Sequence, residues 1–173
     1  MADPVVMSHA GKTPRIHPSV YLAPGVVVIG DVEIGPDSSL WPGAILRGDM
    51  GEIRIGARTN IQDGSILHMS YGGPGTHVGD DVTVGHGVLL HDCQIEEWAF
   101  IGMRAVLLDG SRVKSYGMLA AGALLTSGKT VGAREIWAGN PAKLFRTIPD
   151  EESQILCSRA GEYAALAQSY RAG

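Results

Sequence analysis

Aliphatic residues recur in this chain at a strict interval of six. They fall at Ile16, Leu22, Val28, Ile34, Leu40 and Leu46, then at Ile55, Ile61 and Leu67 after a shift of three. A larger shift precedes Val78, Val84 and Leu90, and one residue is missing before Ile95, Ile101, Leu107, Val113, Leu119, Leu125, Val131 and Trp137. Four residues after each of these twenty positions the side chain is Val, Ser, Thr, Ala or Gly in fourteen cases. Met50, Tyr71 and Gln94 break that rule where the register shifts, and Lys129, Glu135 and Pro141 break it at the end. A period of six suits neither an amphipathic helix nor a hairpin meander. It suits an all-β solenoid in which each hexad is one side of a triangular coil. Three hexads make a coil, so twenty predict about 6–7 coils over residues 16–142.

Glycine, 24 of 173 residues, fits this reading. Gly35, Gly56, Gly79, Gly85 and Gly102 each follow a hexad leader directly, where close-stacked backbones exclude a Cβ. The motif resembles the left-handed parallel β-helix family, and the handedness comes from that resemblance alone. Residues 1–15 precede the frame and predict a tail with an edge strand or cap. Insertions are expected at residues 48–54 and 70–77, the second reading as a flexible loop that includes His77. The stretch from Ile95 to Trp137 reads as regular and chemically quiet. Beyond it, acids after Pro149 and a stripe of Leu156, Ala160, Tyr163, Ala167 and Tyr170 predict a C-terminal α-helix over 149–171. It would pack along the solenoid or across a subunit boundary, with Cys157 as a packing residue.

Charge and composition narrow the function. A net charge of −4 without a Lys/Arg cluster argues against nucleic acid and anionic membrane as partners. The N-terminus lacks a signal-peptide pattern and no stretch is apolar enough to span a bilayer, so the expected location is cytoplasmic. Two cysteines, Cys93 and Cys157, are too few for a disulfide framework.

The histidines carry the chemistry. Hexads three apart stack on one face with strands about 4.8 Å apart. Position two of the hexads at Leu46, Leu67 and Leu90 points outward, so one column reads Arg47, His68, His91. Two histidines on adjacent rungs can share a metal. His86 lies at position three of the hexad at Val84, on the preceding face, with Asp63 one coil earlier and Gln62 beside it. Side chains on two faces of a convex prism diverge, so a third imidazole must come from another chain. That predicts a homotrimer with three metal sites at heterologous subunit boundaries.

The motifs Arg47-Gly48-Asp49, Asn60-Ile61-Gln62-Asp63, Leu67-His68 and Gly85-His86-Gly87 through Leu90-His91-Asp92-Cys93 resemble the γ-class carbonic anhydrase family, over nearly the whole chain. The resemblance implies His68 and His91 as metal ligands from one subunit and His86 as the ligand from its neighbour. It implies Gln62 and Asn60 as catalytic residues, and Arg47, Asp49 and Asp63 as interfacial ion-pairing groups. The implied cofactor is a divalent metal, zinc first, with iron or cobalt as alternatives. The implied reaction is the hydration of CO2 to bicarbonate by a metal-bound hydroxide. The chain departs from the family's most active members at Met50, which stands where they carry a glutamate, and its second loop holds no carboxylate. Activity is therefore expected to be weak or lost, with His77 the candidate proton shuttle. Two other readings stay open. The exit sequence Ala138-Gly139-Asn140-Pro141-Ala142-Lys143 resembles that of hexapeptide acyltransferases, which admits an acyltransferase or acyl-CoA thioesterase. A non-catalytic, metal-stabilised structural trimer is the third.

Overall fold

The computed structural model describes residues 2–172, with the side chains of residues 154–157 outside the description. It is a left-handed parallel β-helix of about 7 turns with one C-terminal helix among the described residues. The hexad leaders stack into three inward columns. On the first face Val28, Leu46, Leu67, Leu90, Leu107 and Leu125 lie in register. On the second face the column is Leu22, Leu40, Ile61, Val84, Ile101, Leu119 and Trp137. On the third it is Ile16, Ile34, Ile55, Val78, Ile95, Val113 and Val131. Apart from Ile16, Leu22 and Trp137, every one of these side chains is buried. One largely aliphatic core therefore runs the length of the solenoid. Burying such side chains contributes about 1.5–3 kcal/mol each, which is what holds strands of only two or three residues together.

The faces differ in what they turn outward. Immediately before each leader, the third face presents Arg15, Glu33, Arg54, His77, Gln94, Arg112 and Thr130. The first face presents Val27, Ile45, Ile66, Leu89, Val106 and Leu124 at the same place. The second face carries the helix Asp150–Arg171, which packs back over the strands Tyr21–Leu22, Ser39–Leu40 and Asn60–Ile61. Tyr163 and Tyr170 meet Trp41 edge-on at 5.5 Å, and Ala160 and Ala167 are buried beneath the helix. The predicted stripe is thus the contact stripe, except that Leu156, like Cys157, lies outside the described side chains.

Two expectations about the insertions need correction. Residues 48–54 do not form a loop: strand Ile45–Ile55 runs through them, and its pairing with Val27–Ile34 absorbs the extra residues as an irregularity in register. The backbone can stay extended there because its hydrogen bonds continue on both sides of the irregularity. His77 does not belong to the second loop either. It lies in strand Thr76–Val78, aligned with Arg54 and Gln94 on the third face.

Close backbone stacking sets the glycine requirement at Gly56. A Cβ there would lie 2.6 Å from the Gly79 carbonyl carbon and 2.6 Å from the Asp80 backbone nitrogen. At the corner between the third and second faces several residues turn through positive φ without being glycine, among them Trp98, Tyr116 and Arg134. The Trp98 and Tyr116 rings stack 6.3 Å apart, with the Arg134 guanidinium over Tyr116. At these three coils, stacking between neighbours offsets part of the strain of the left-handed corners.

Candidate metal centre

His68 and His91 are direct cross-strand partners on adjacent coils of the first face. Each leader beside them is fully buried, so the alternation of the strand sends both imidazoles outward. Nδ1 of His68 lies 3.3 Å from Nε2 of His91. The far nitrogen of each ring rests on a carboxylate: Nε2 of His68 is 3.0 Å from Asp49 Oδ1, and Nδ1 of His91 is 2.6 Å from Asp109 Oδ1.

The carboxylates are themselves anchored. Arg47 Nη1 donates to Asp49 Oδ2 at 2.7 Å, and Ser70 Oγ donates to Asp109 Oδ2 at 2.8 Å. Burial works to raise the Asp49 carboxyl, but the hydrogen bonds from Arg47 and His68 outweigh it and hold it below the usual carboxylate range. For Asp109 the bond from Ser70 comes first and that from His91 second, again holding the group low. Both carboxylates are acceptors, so an imidazole with a single N–H directs it to the carboxylate it rests on. The two facing nitrogens then present lone pairs to each other, an arrangement that favours a shared cation. With Zn–N bonds of about 2.0–2.1 Å, the edge of a tetrahedral site is about 3.3–3.4 Å. The donor set therefore fits a divalent metal, and its carboxylate-backed histidines are of the kind that orient metal ligands.

His86 stands apart. It sits in the turn after strand Thr83–Val84, with Nδ1 2.8 Å from Asp63 Oδ2 and about half of its side chain exposed. Its neighbour across the face, Gln62, is buried and donates through Nε2 to Asn60 Oδ1 at 3.0 Å. Asn60 in turn donates to Thr83 Oγ1 at 3.0 Å. This chain of amides orients the Gln62 side chain through its Nε2 end. Among the described residues, no group of three or more His, Cys, Asp or Glu side chains within one chain is placed to hold a metal ion.

His77 lies in the charged ladder of the third face, its Nε2 2.9 Å from Glu52 Oε1, while Arg54 holds the other Glu52 oxygen at 2.8 Å. Cys93 is buried, and desolvation pushes its thiol far up, so it stays protonated.

Sequence reasoning missed Asp109 and Ser70. The stretch beyond Ile95 is not chemically quiet, because Asp109 reaches back one coil to His91. Its signal was available: Asp109 lies two residues beyond Leu107, which stacks on Leu90. The outward aliphatic column beside the histidine pair was equally legible, since it occupies the position before each leader on this face alone.

A family model described as bacterial transferase hexapeptide (six repeats) matches residues 13–48. Gamma carbonic anhydrase 1, mitochondrial, of Arabidopsis thaliana is 42% identical over 172 residues, covering 96% of this chain and 62% of its own length. The chain thus spans less than two thirds of that relative. Protein YrdA of Escherichia coli is 40% identical over 177 residues, covering 98% of this chain and 95% of its own. A hexapeptide transferase family protein from Anaplasma phagocytophilum, of known crystal structure, is 40% identical and superposes with a TM-score of 0.92, covering 96% of this chain and 98% of its own. No helix among the described residues is long and apolar enough to cross a membrane.

Proposed function

Because this chain belongs to the γ-class carbonic anhydrase-like family of hexapeptide-repeat β-helix proteins, we propose that it is a homotrimeric metalloprotein that hydrates CO2 to bicarbonate. His68 and His91 of one subunit and His86 of the partner subunit would hold the divalent ion, zinc in first place. The observation that carries this reading is the 3.3 Å approach of two imidazole nitrogens whose rings are both braced by carboxylates. When bound, the ion lowers the pKa of coordinated water to about 7 and so supplies a nucleophile at neutral pH.

The chain's own residues do the rest. Asp49 and Asp109 hold the imidazole protons at His68 Nε2 and His91 Nδ1, which keeps the inner nitrogens unprotonated and aimed at one point. Asn60 fixes the Gln62 amide through its Nε2, leaving Oε1 to orient a donor in the site. His77, joined to Glu52 and about one third exposed, is the group assigned to pass the released proton to buffer.

The assembly rests on the first face. Val27, Ile45, Ile66, Leu89, Val106 and Leu124 form a continuous outward aliphatic column beside the ligand pair, and Ile66 is 42% exposed in the single chain. An aliphatic column of that length is what a subunit boundary buries. A neighbour seated there would bring its Gly85-His86-Gly87 corner to His68 and His91, closing a heterologous ring. Stopped-flow CO2 hydration with metal analysis on protein purified without added zinc tests the reading. Stoichiometric metal with hydration that is lost in His91→Ala supports it; full metal loading without hydration overturns the enzymatic part.

A further inference from the structure

Beyond the strands that the C-terminal helix covers, the second face and the helix leave a cleft of about 380 Å3 between them. A water molecule's share of liquid volume is about 30 Å3, so the cleft has room for roughly a dozen, far more than a triatomic gas or bicarbonate needs. It falls within the range typical of small-molecule sites.

Its chemistry is divided. Phe100, Met103 and Met118 supply an apolar wall that the thioethers can adapt to different shapes. Met103 is 54% exposed in the single chain. Arg159 and Tyr163 enter from the helix. The Arg159 guanidinium pairs with Glu162 at 3.0 Å, but both groups are more than half exposed and lie on the same helix. Such a pair is worth little and exchanges readily for a ligand anion. Tyr163 is fixed by its edge-on contact with Trp41. Burial, with the nearby Asp63 charge, raises its phenol pKa, so the hydroxyl remains a donor. A planar guanidinium beside a phenol donor matches a carboxylate.

We propose that this cleft binds a monocarboxylate with a short apolar chain, its head on Arg159 and Tyr163 and its chain on Phe100, Met103 and Met118. Gln62 and His86 of the proposed metal site also line the cleft, but the groups assigned to the carboxylate and its chain are not among the proposed metal ligands, so the inference does not depend on CO2 hydration. The test is calorimetric titration of the full-length protein with hexanoate, with hexanamide as the neutral match and acetate as the match without a chain. Hexanoate is expected to bind at least about tenfold more tightly than either, and Arg159→Gln to remove about that factor for hexanoate alone. Phe100→Ala weakens hexanoate and hexanamide together. His68→Ala, which removes a proposed metal ligand, leaves hexanoate affinity unchanged. Equal affinity for hexanoate and hexanamide, no effect of Arg159→Gln, or no heat up to about 10 mM would overturn the proposal. So would loss of binding in His68→Ala, since the carboxylate would then be sitting on the metal.

Discussion

His68 Nδ1 and His91 Nε2 face each other at 3.3 Å, and the far nitrogen of each ring lies against a carboxylate, Asp49 for His68 and Asp109 for His91. Under the proposed reading the pair is half of a coordination shell. In a single chain it lacks a third ligand, because His86 sits round the corner with its Nδ1 on Asp63.

Shared sites make a specific prediction. His68→Ala and His86→Ala should each abolish metal binding as homotrimers. Mixed at equal amounts and reassembled, they should recover about a quarter of the sites, because a site needs one subunit of each kind in the right order. Elemental analysis of the mixed trimers reads this directly, and no recovery would mean that the three histidines do not meet across a boundary.

Asp109 braces His91 without being a ligand. Asp109→Asn should therefore reduce metal affinity by about 10–100-fold, measured by chelator competition, while leaving the circular dichroism spectrum unchanged. Ser70→Ala should act in the same direction and more weakly, since it removes one of the bonds that hold the Asp109 carboxylate.

Proton export at His77 should show as a buffer effect. His77→Ala is expected to slow CO2 hydration at low buffer concentration and to regain the wild-type rate when an imidazole buffer is supplied. An unchanged rate at low buffer would end the assignment, and attention would move to the His91–Asp109–Ser70 chain.

The stacked and the merely left-handed glycines should separate in stability. Gly56→Ala drives a Cβ into backbone at 2.6 Å, whereas Gly64 has φ of +68° and open space around it. Gly64→Ala should cost about 1–2 kcal/mol from left-handed strain alone. Gly56→Ala should cost more, because a coil must shift, and urea titration of both variants compares them.

Which sequence features were legible follows from the range over which each acts. The hexad leaders revealed the solenoid because every coil repeats the same local demand: one aliphatic residue inward per side. The stacking of His68 on His91 followed by counting, since in a repeat fold register is arithmetic. The first insertion misled, because a strand can absorb extra residues within its hydrogen-bonded ladder and the residue pattern does not distinguish that from a loop. His77 misled in the same way, as glycine-rich composition ran up to Thr76 while pairing with Arg54 and Gln94 claimed the next residue for a strand.

By itself, then, the sequence determined the coil, its three inward columns and the outward histidine column, all consequences of period and alternation. The tertiary structure decided what those histidines rest on. Asp49 reaches His68 across an irregular strand, and Asp109 reaches His91 from the coil above. Those partners depend on side-chain reach between coils, over gaps that insertions of different length had already displaced. It also separated the faces, one aliphatic, one covered by a helix and one charged, which decides where a neighbour can sit.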